Sequence, residues 1–224
     1  MDTGATPHLD LQRLRTYAAS FDSTVRIALQ GVQHDIQRQS PDGVVYGLTK
    51  IALEHGSATV RLFHDGNETA AYALVRLQYE AVLRACWINW AAPESWVVRA
   101  TGIVEGRKDE GDLGFPPPAN MIEALSASAR TPQELAPSLD DFKSRAWVAL
   151  NSFSHGGFKS IIRALYGHEP ELTTWMIKSS CTLSYLAAMT CAAVSGKEER
   201  VDAVCAARVG HSLCFHPLPK PGSE

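Results

Sequence analysis

The stretch "ETAAYALVRLQYEAVLRACWINWAA", residues 68–92, decides the fold. It combines alanines, long aliphatics and aromatics, and neither Gly nor Pro interrupts it before Pro93. Such a run favours a long helix that is apolar over much of its surface and packs inside the protein. The preceding segment, 44–66, continues helically despite Gly47 and Gly56, small residues that let another helix approach closely, and "HDGN" (64–67) ends it in a glycine turn. "SPDG" (40–43) breaks the chain before it, with Pro41 suited to a first helical turn. Further back, apolar residues recur at helical spacing from Leu9 to about Gln37.

Toward the C-terminus, Pro93 opens a further helix that dissolves into a charged loop, and "GDLGFPPPAN" (111–120) reads as a surface loop. A short helix around Ala119–Ala129 and an irregular run, "ARTPQELAPS", come next. Ser138, ahead of Asp140 and Asp141, reads as the N-cap of a helix that ends at Gly156–Gly157. A short helix over 158–167 and a long one over 170–196 follow. The last segment starts helical, and its proline-rich tail, 211–224, is expected to fray. No stretch alternates as a strand would. The expectation is an all-α, single-domain multi-helix bundle over 1–224, of six to eight helices, with its core about 9–195.

Composition narrows the function. With 45% hydrophobic and 20% charged residues the chain has globular character. Its charge of -3 gives no global basic footprint for nucleic acid, so any such contact needs a local patch. The N-terminus does not read as a signal peptide, and "SYLAAMTCAAVSG" (184–196) is too short to span a bilayer, so a cytoplasmic protein without membrane attachment is expected. The five cysteines, without a CxxC, read as reduced thiols. Walker, HExxH, GxSxG and dinucleotide motifs are absent, and no cofactor or metal is expected. His211, Cys214 and His216 lie close in sequence but lack a fourth ligand at zinc spacing. "KEER" (197–200) reads as solvent-facing.

Two constellations carry possible chemistry. Arg76, Glu80 and Arg84 lie at i, i+4 and i+8 on the apolar helix, each about 40° further round, so they share a face. Charges in such surroundings must be paired, and Glu80 is placed to bridge both arginines. Asn151 and His155, one turn apart in "VALNSFSHGGF" (148–158), stand just before two glycines. There the helix dipole favours a cationic histidine, which suits an acid/base group and equally suits a plain C-terminal cap. Arg145 lies ten residues before the histidine, and Lys159 and Arg163 follow it.

The order "AYALVRLQYEAVLRACWI" on one helix and "LNSFSHGG" ending a later one resembles uncharacterised bacterial helical proteins distantly related to the HEPN superfamily, over residues 45–165. That resemblance implies a HEPN-like fold and a metal-independent ribonuclease or RNA-binding toxin of stress, toxin–antitoxin or phage-defence systems. It also implies homodimers and a cognate regulatory protein. Asn151 and His155 match the family's polar and histidine positions, with a three-residue gap. Leu150 stands where the family carries arginine, and Arg145 is outside the usual spacing. Arg76 or Arg84 could supply that guanidinium from the neighbouring helix, or the site binds without cutting. In the catalytic reading His155 is acid/base, Asn151 orients it or the substrate, Arg76, Arg84 or Arg145 holds phosphate, and Glu80 positions the arginines. The alternative is a non-catalytic interaction or regulatory module whose Arg/Glu/His cluster is a structural clamp.

Overall fold

In the computed structural model, which describes residues 11–107 and 113–216, every regular element is helical. The order is α1 (Leu11–Ala28), a 3-10 turn (Val32–His34), α2 (Pro41–His64), α3 (Glu68–Trp90), α4 (Glu94–Val104), α5 (Pro118–Ala127), α6 (Leu135–Ser154), α7 (Phe158–Tyr166), α8 (Pro170–Val194), α9 (Glu198–Gly210) and a second 3-10 turn (Ser212–Cys214). The all-α bundle is therefore present, with nine α-helices among the described residues where six to eight were expected. None of these helices is long and apolar enough to cross a membrane.

The centre is a three-helix stack of α2, α3 and α8. α2 starts where the sequence punctuates it, since Ser40 Oγ accepts from Gly43 N at 3.1 Å and Pro41 occupies the first turn. It packs most extensively on α3, then on α8. Close approach depends on Gly56, where any Cβ would collide with Ser184 Oγ and Gln78 Nε2. Beneath it Gln78 is fully buried and fully bonded. Its Nε2 donates to Ser180 O (3.1 Å) and Ser184 Oγ (2.9 Å), and its Oε1 accepts from Ser180 Oγ (2.8 Å). α6 docks on the other flank of α3, where Tyr79 donates to Leu139 O (3.0 Å) and stacks on Phe142 at 4.8 Å.

Several expectations are corrected. The first helix ends at Ala28, short of Gln37, because Gly31 takes a left-handed φ of 79° and turns the chain into the 3-10 segment. Arg200, expected in solvent within "KEER", instead closes that helix end. Its guanidinium grips Asp35 Oδ2 (2.6 and 2.9 Å) and donates to Gln30 O (2.9 Å), satisfying an orphan carbonyl with a charge-assisted bond. Ser138 is not an N-cap. α6 begins one turn earlier, at Leu135, because Leu135, Ala136 and Leu139 are all buried, and Ser138 Oγ merely bonds back to Glu134 O. Pro137 is tolerated there because its missing N–H belongs to the first turn.

The expected fraying of 211–224 meets a packed segment in its described part. Cys214 and Phe215 are buried, and Phe215 meets Phe21 edge-on at 5.1 Å. Residues 217–224 lie outside the described ones, as do 108–110 of the charged loop and 111–112 of the expected surface loop. All five cysteines are free; four are buried, and burial pushes the Cys86 thiol up to about 12.

Candidate functional site

The charged face of α3 forms a ladder. Arg76 Nε donates to Glu80 Oε1 at 3.0 Å and Arg84 Nη2 donates to Glu80 Oε2 at 3.1 Å, so one carboxylate bridges both guanidinium groups, as the four-residue spacing requires. Each arginine also lies over an aromatic ring: Arg76 over Trp147 (4.7 Å) and Arg84 over Phe115 (4.8 Å). Arg76 and Glu80 keep only 16% and 19% of their side-chain surface, whereas Arg84 keeps 36%. The ladder is thus pinned from below and open at its edge.

α6 supplies the other half. Trp147, Asn151 and His155 follow at four-residue intervals and share a flank of that helix. The helix stops because Gly156 adopts a φ of 65°, and Gly157 N bonds back to Ser152 O at 2.7 Å. His155, at the C-cap, is exposed, and its Nε2 lies 3.2 Å from Arg76 Nη1. An arginine N–H can only donate, so a hydrogen bond here has Nε2 as its acceptor. Two residues 79 positions apart in sequence share one hydrogen bond.

The ladder and Trp147 open onto a cleft of about 370 Å³, and His155 reaches it only through its contact with Arg76. Arg76, Glu80, Arg84 and Trp147 form its polar side, and Phe115, the prolines 116–118 and Met121 form its apolar wall. Two cations against one carboxylate leave this lining net positive within a chain of charge -3.

The remaining predicted residues are placed differently. Asn151 is half-buried and its Oδ1 has no hydrogen-bond partner among the described residues. Arg145 does not join the cluster. It is exposed and bound to Asp141 at 2.7 Å, and ten residues from His155 it lies about 80° round the helix on the side away from Trp147. Leu150, where the resemblance expected arginine, is fully buried in the core. Arg163 is taken by Glu169 at 2.7 Å, away from the mouth where it was a candidate. His211, Cys214 and His216 diverge, toward Ser20 and Ala207 O, toward Cys181, and toward Ser179 respectively.

Sequence reasoning missed Trp147 and Phe115. Trp147 was legible, since it continues the Asn151–His155 interval back by one turn. Phe115 was not, because a loop run carries no periodicity to show which way it folds.

The chain belongs to a family of unknown function, DUF6988, whose model matches residues 49–217. That span includes the whole ladder, the end of α6 and helices α7 to α9. No curated protein and no solved structure matches the chain.

Proposed function

We propose that this member of the DUF6988 family acts on RNA beside the Arg76–His155 pair, as a HEPN-like, metal-independent endoribonuclease. The observation that carries the reading is the 3.2 Å contact between His155 Nε2 and Nη1 of Arg76, which lines the net positive cleft. Arg76 is held by Glu80 through Nε, so a phosphate oxygen can take Nη2 and draw off the Nη1 that otherwise donates to His155. His155 Nε2, an acceptor, is then free to take the proton of a ribose 2′-OH. The 2′-oxygen attacks phosphorus, the bond to the 5′-oxygen breaks, and the abstracted proton passes to that leaving oxygen. The products are a 2′,3′-cyclic phosphate and a 5′-hydroxyl. Charge developing on the phosphoryl oxygens is met by Arg76, with Arg84 at the cleft edge.

The test is incubation of the purified chain with single-stranded RNA in a chelator, with the product ends analysed. Wild type is expected to leave cyclic-phosphate ends, and His155→Ala and Arg76→Ala to lose roughly 10²-fold or more of the rate. Undiminished cleavage by His155→Ala, or no cleavage and no RNA binding by wild type, overturns the reading.

One observation favours a second reading, a non-catalytic interaction module with a structural clamp. Both oxygens of Glu80 are occupied, and Arg76 and Glu80 are mostly covered. In that case Glu80→Ala unfolds the protein readily while His155 is dispensable to whatever partner the module binds.

A further inference from the structure

α7 is the most one-sided helix of the fold. Phe158, Ile161, Ile162, Leu165 and Tyr166 recur at i, i+3, i+4, i+7 and i+8, one continuous stripe. Instead of facing the core, this stripe faces out, with exposures of 47–83%. The helix holds on through its opposite side, where Ser160 is buried and donates to Gly157 O at 2.7 Å. No other described helix aligns five exposed large apolar side chains on one face.

We infer that the α7 stripe is the contact surface for a second copy of this chain, packed antiparallel across a two-fold axis. Size is the first argument. With aromatic side chains carrying about 150–250 Å² each, the stripe presents on the order of 600 Å² of apolar surface. Apolar patches on monomers reach roughly 300–600 Å², while a stable interface buries about 800 Å² per partner, a figure the stripe meets once its polar rim is added.

Self-complementarity is the second argument. The stripe reads nearly the same in both directions: an aromatic end, an isoleucine pair at the centre, and a leucine–tyrosine end. A two-fold contact brings each patch onto itself. Antiparallel pairing therefore sets Ile162 against Ile162 at the axis and Phe158 against the partner's Leu165 and Tyr166 at both ends. Lys159, exposed on the edge of the stripe, falls beside the partner's Tyr166 and the last-turn carbonyls of that helix, where a cation is favoured. Identical halves satisfy one another, with no second kind of chain required. The surface is independent of the chemistry proposed for the cleft.

The experiment is solution mass by light scattering at micromolar concentration. Wild type is expected at twice the 24.4 kDa chain mass, and Ile162→Glu and Leu165→Glu at the single-chain mass with unchanged helical circular dichroism. Ile162→Cys is expected to cross-link to itself on mild oxidation, above a wild-type control, while Phe158→Cys does not. A monomeric wild type overturns the proposal, and if that monomer floats with phosphatidylcholine–phosphatidylserine vesicles the stripe belongs to a lipid surface. A dimer that survives Ile162→Glu, or cross-linking by Phe158→Cys alone, overturns it as well.

Discussion

Two polar clusters leave α3 only two residues apart, and they are built in opposite senses. Gln78 points into the α2–α8 side, is fully buried, and has each of its amide groups bonded. Arg76, Glu80 and Arg84 emerge roughly 200° away, under α6, and finish at a cleft. The first cluster is closed: every donor and acceptor answers another, so it can specify packing and nothing else. The second is pinned by one carboxylate and two aromatic rings but ends on Arg84, on Arg76 Nη1 and on an exposed histidine. Polar residues on one apolar helix thus differ in whether their last hydrogen bond is made inside the protein or left open at a cleft.

The sharpest way to break the comparison is to open the closed cluster. Gln78→Ala leaves Ser180 and Ser184 without their partner and adds a cavity, and is expected to destabilise by about 3 kcal/mol. Gly56→Ala acts on the same knot by overpacking and is expected to cost roughly 1–3 kcal/mol. Both are read as shifts in the urea midpoint at constant slope. Unchanged midpoints would mean that α2 and α8 do not depend on this contact.

The ladder should respond less. Glu80→Ala strands two guanidinium groups, but Arg84 reaches water and both rings remain beneath them, so about 2 kcal/mol is expected. A loss of 3–5 kcal/mol, the range for breaking a fully buried pair, would move the ladder into the same class as Gln78. Glu80→Gln should retain most of the stability and lose positional control of Arg76, which a raised KM for RNA at near-native stability would register.

A gentler effect comes from histidines outside both clusters. Burial lowers the pKa of His55, His168 and His216 below the ordinary value. The unfolded chain then binds protons first as pH falls. The stability these groups contribute is complete above about pH 6.5 and is lost as pH drops toward their lowered folded values. The urea midpoint is expected to decline between pH 7 and roughly pH 5.5, ahead of carboxylate titration. His168→Gln, which removes a ring set edge-on against Tyr72, should flatten part of that slope.

How much of this was legible depends on distance along the chain. The helices of α2, α3 and α8 follow from periodicity and from Pro and Gly at their ends, and the Arg76–Glu80–Arg84 ladder follows from spacing alone, because its partners are one turn apart. Arg200 could not be read, since what it caps lies some 170 residues earlier. The start of α6 was misplaced for a related reason: burial of Leu135 and Leu139 outweighs the local appeal of Ser138 as a cap. The same limit applies to the site. Asn151 and His155 were visible as a pair, but which arginine meets the histidine is decided by how α6 crosses α3. Arg145, nearer in sequence, turned away to Asp141 while Arg76 arrived from another helix.

The smallest expected effect on folding sharpens the comparison most. His155 is exposed, follows the last residue of α6, and its side chain meets Arg76, which keeps Glu80 and Trp147 when the imidazole is removed. His155→Ala should therefore shift stability by no more than about 0.5 kcal/mol, the usual range for an exposed position. Its consequence is expected in RNA, where the closed cluster has none: cleavage or RNA-dependent growth arrest in a bacterial host should disappear while the fold persists. Gln78→Ser supplies the matched control, lowering stability while leaving cleavage per folded molecule intact. If instead His155→Ala lowers the melting temperature as Gln78 variants do, the histidine closes the ladder as a serine closes the knot, and both clusters of α3 are structural.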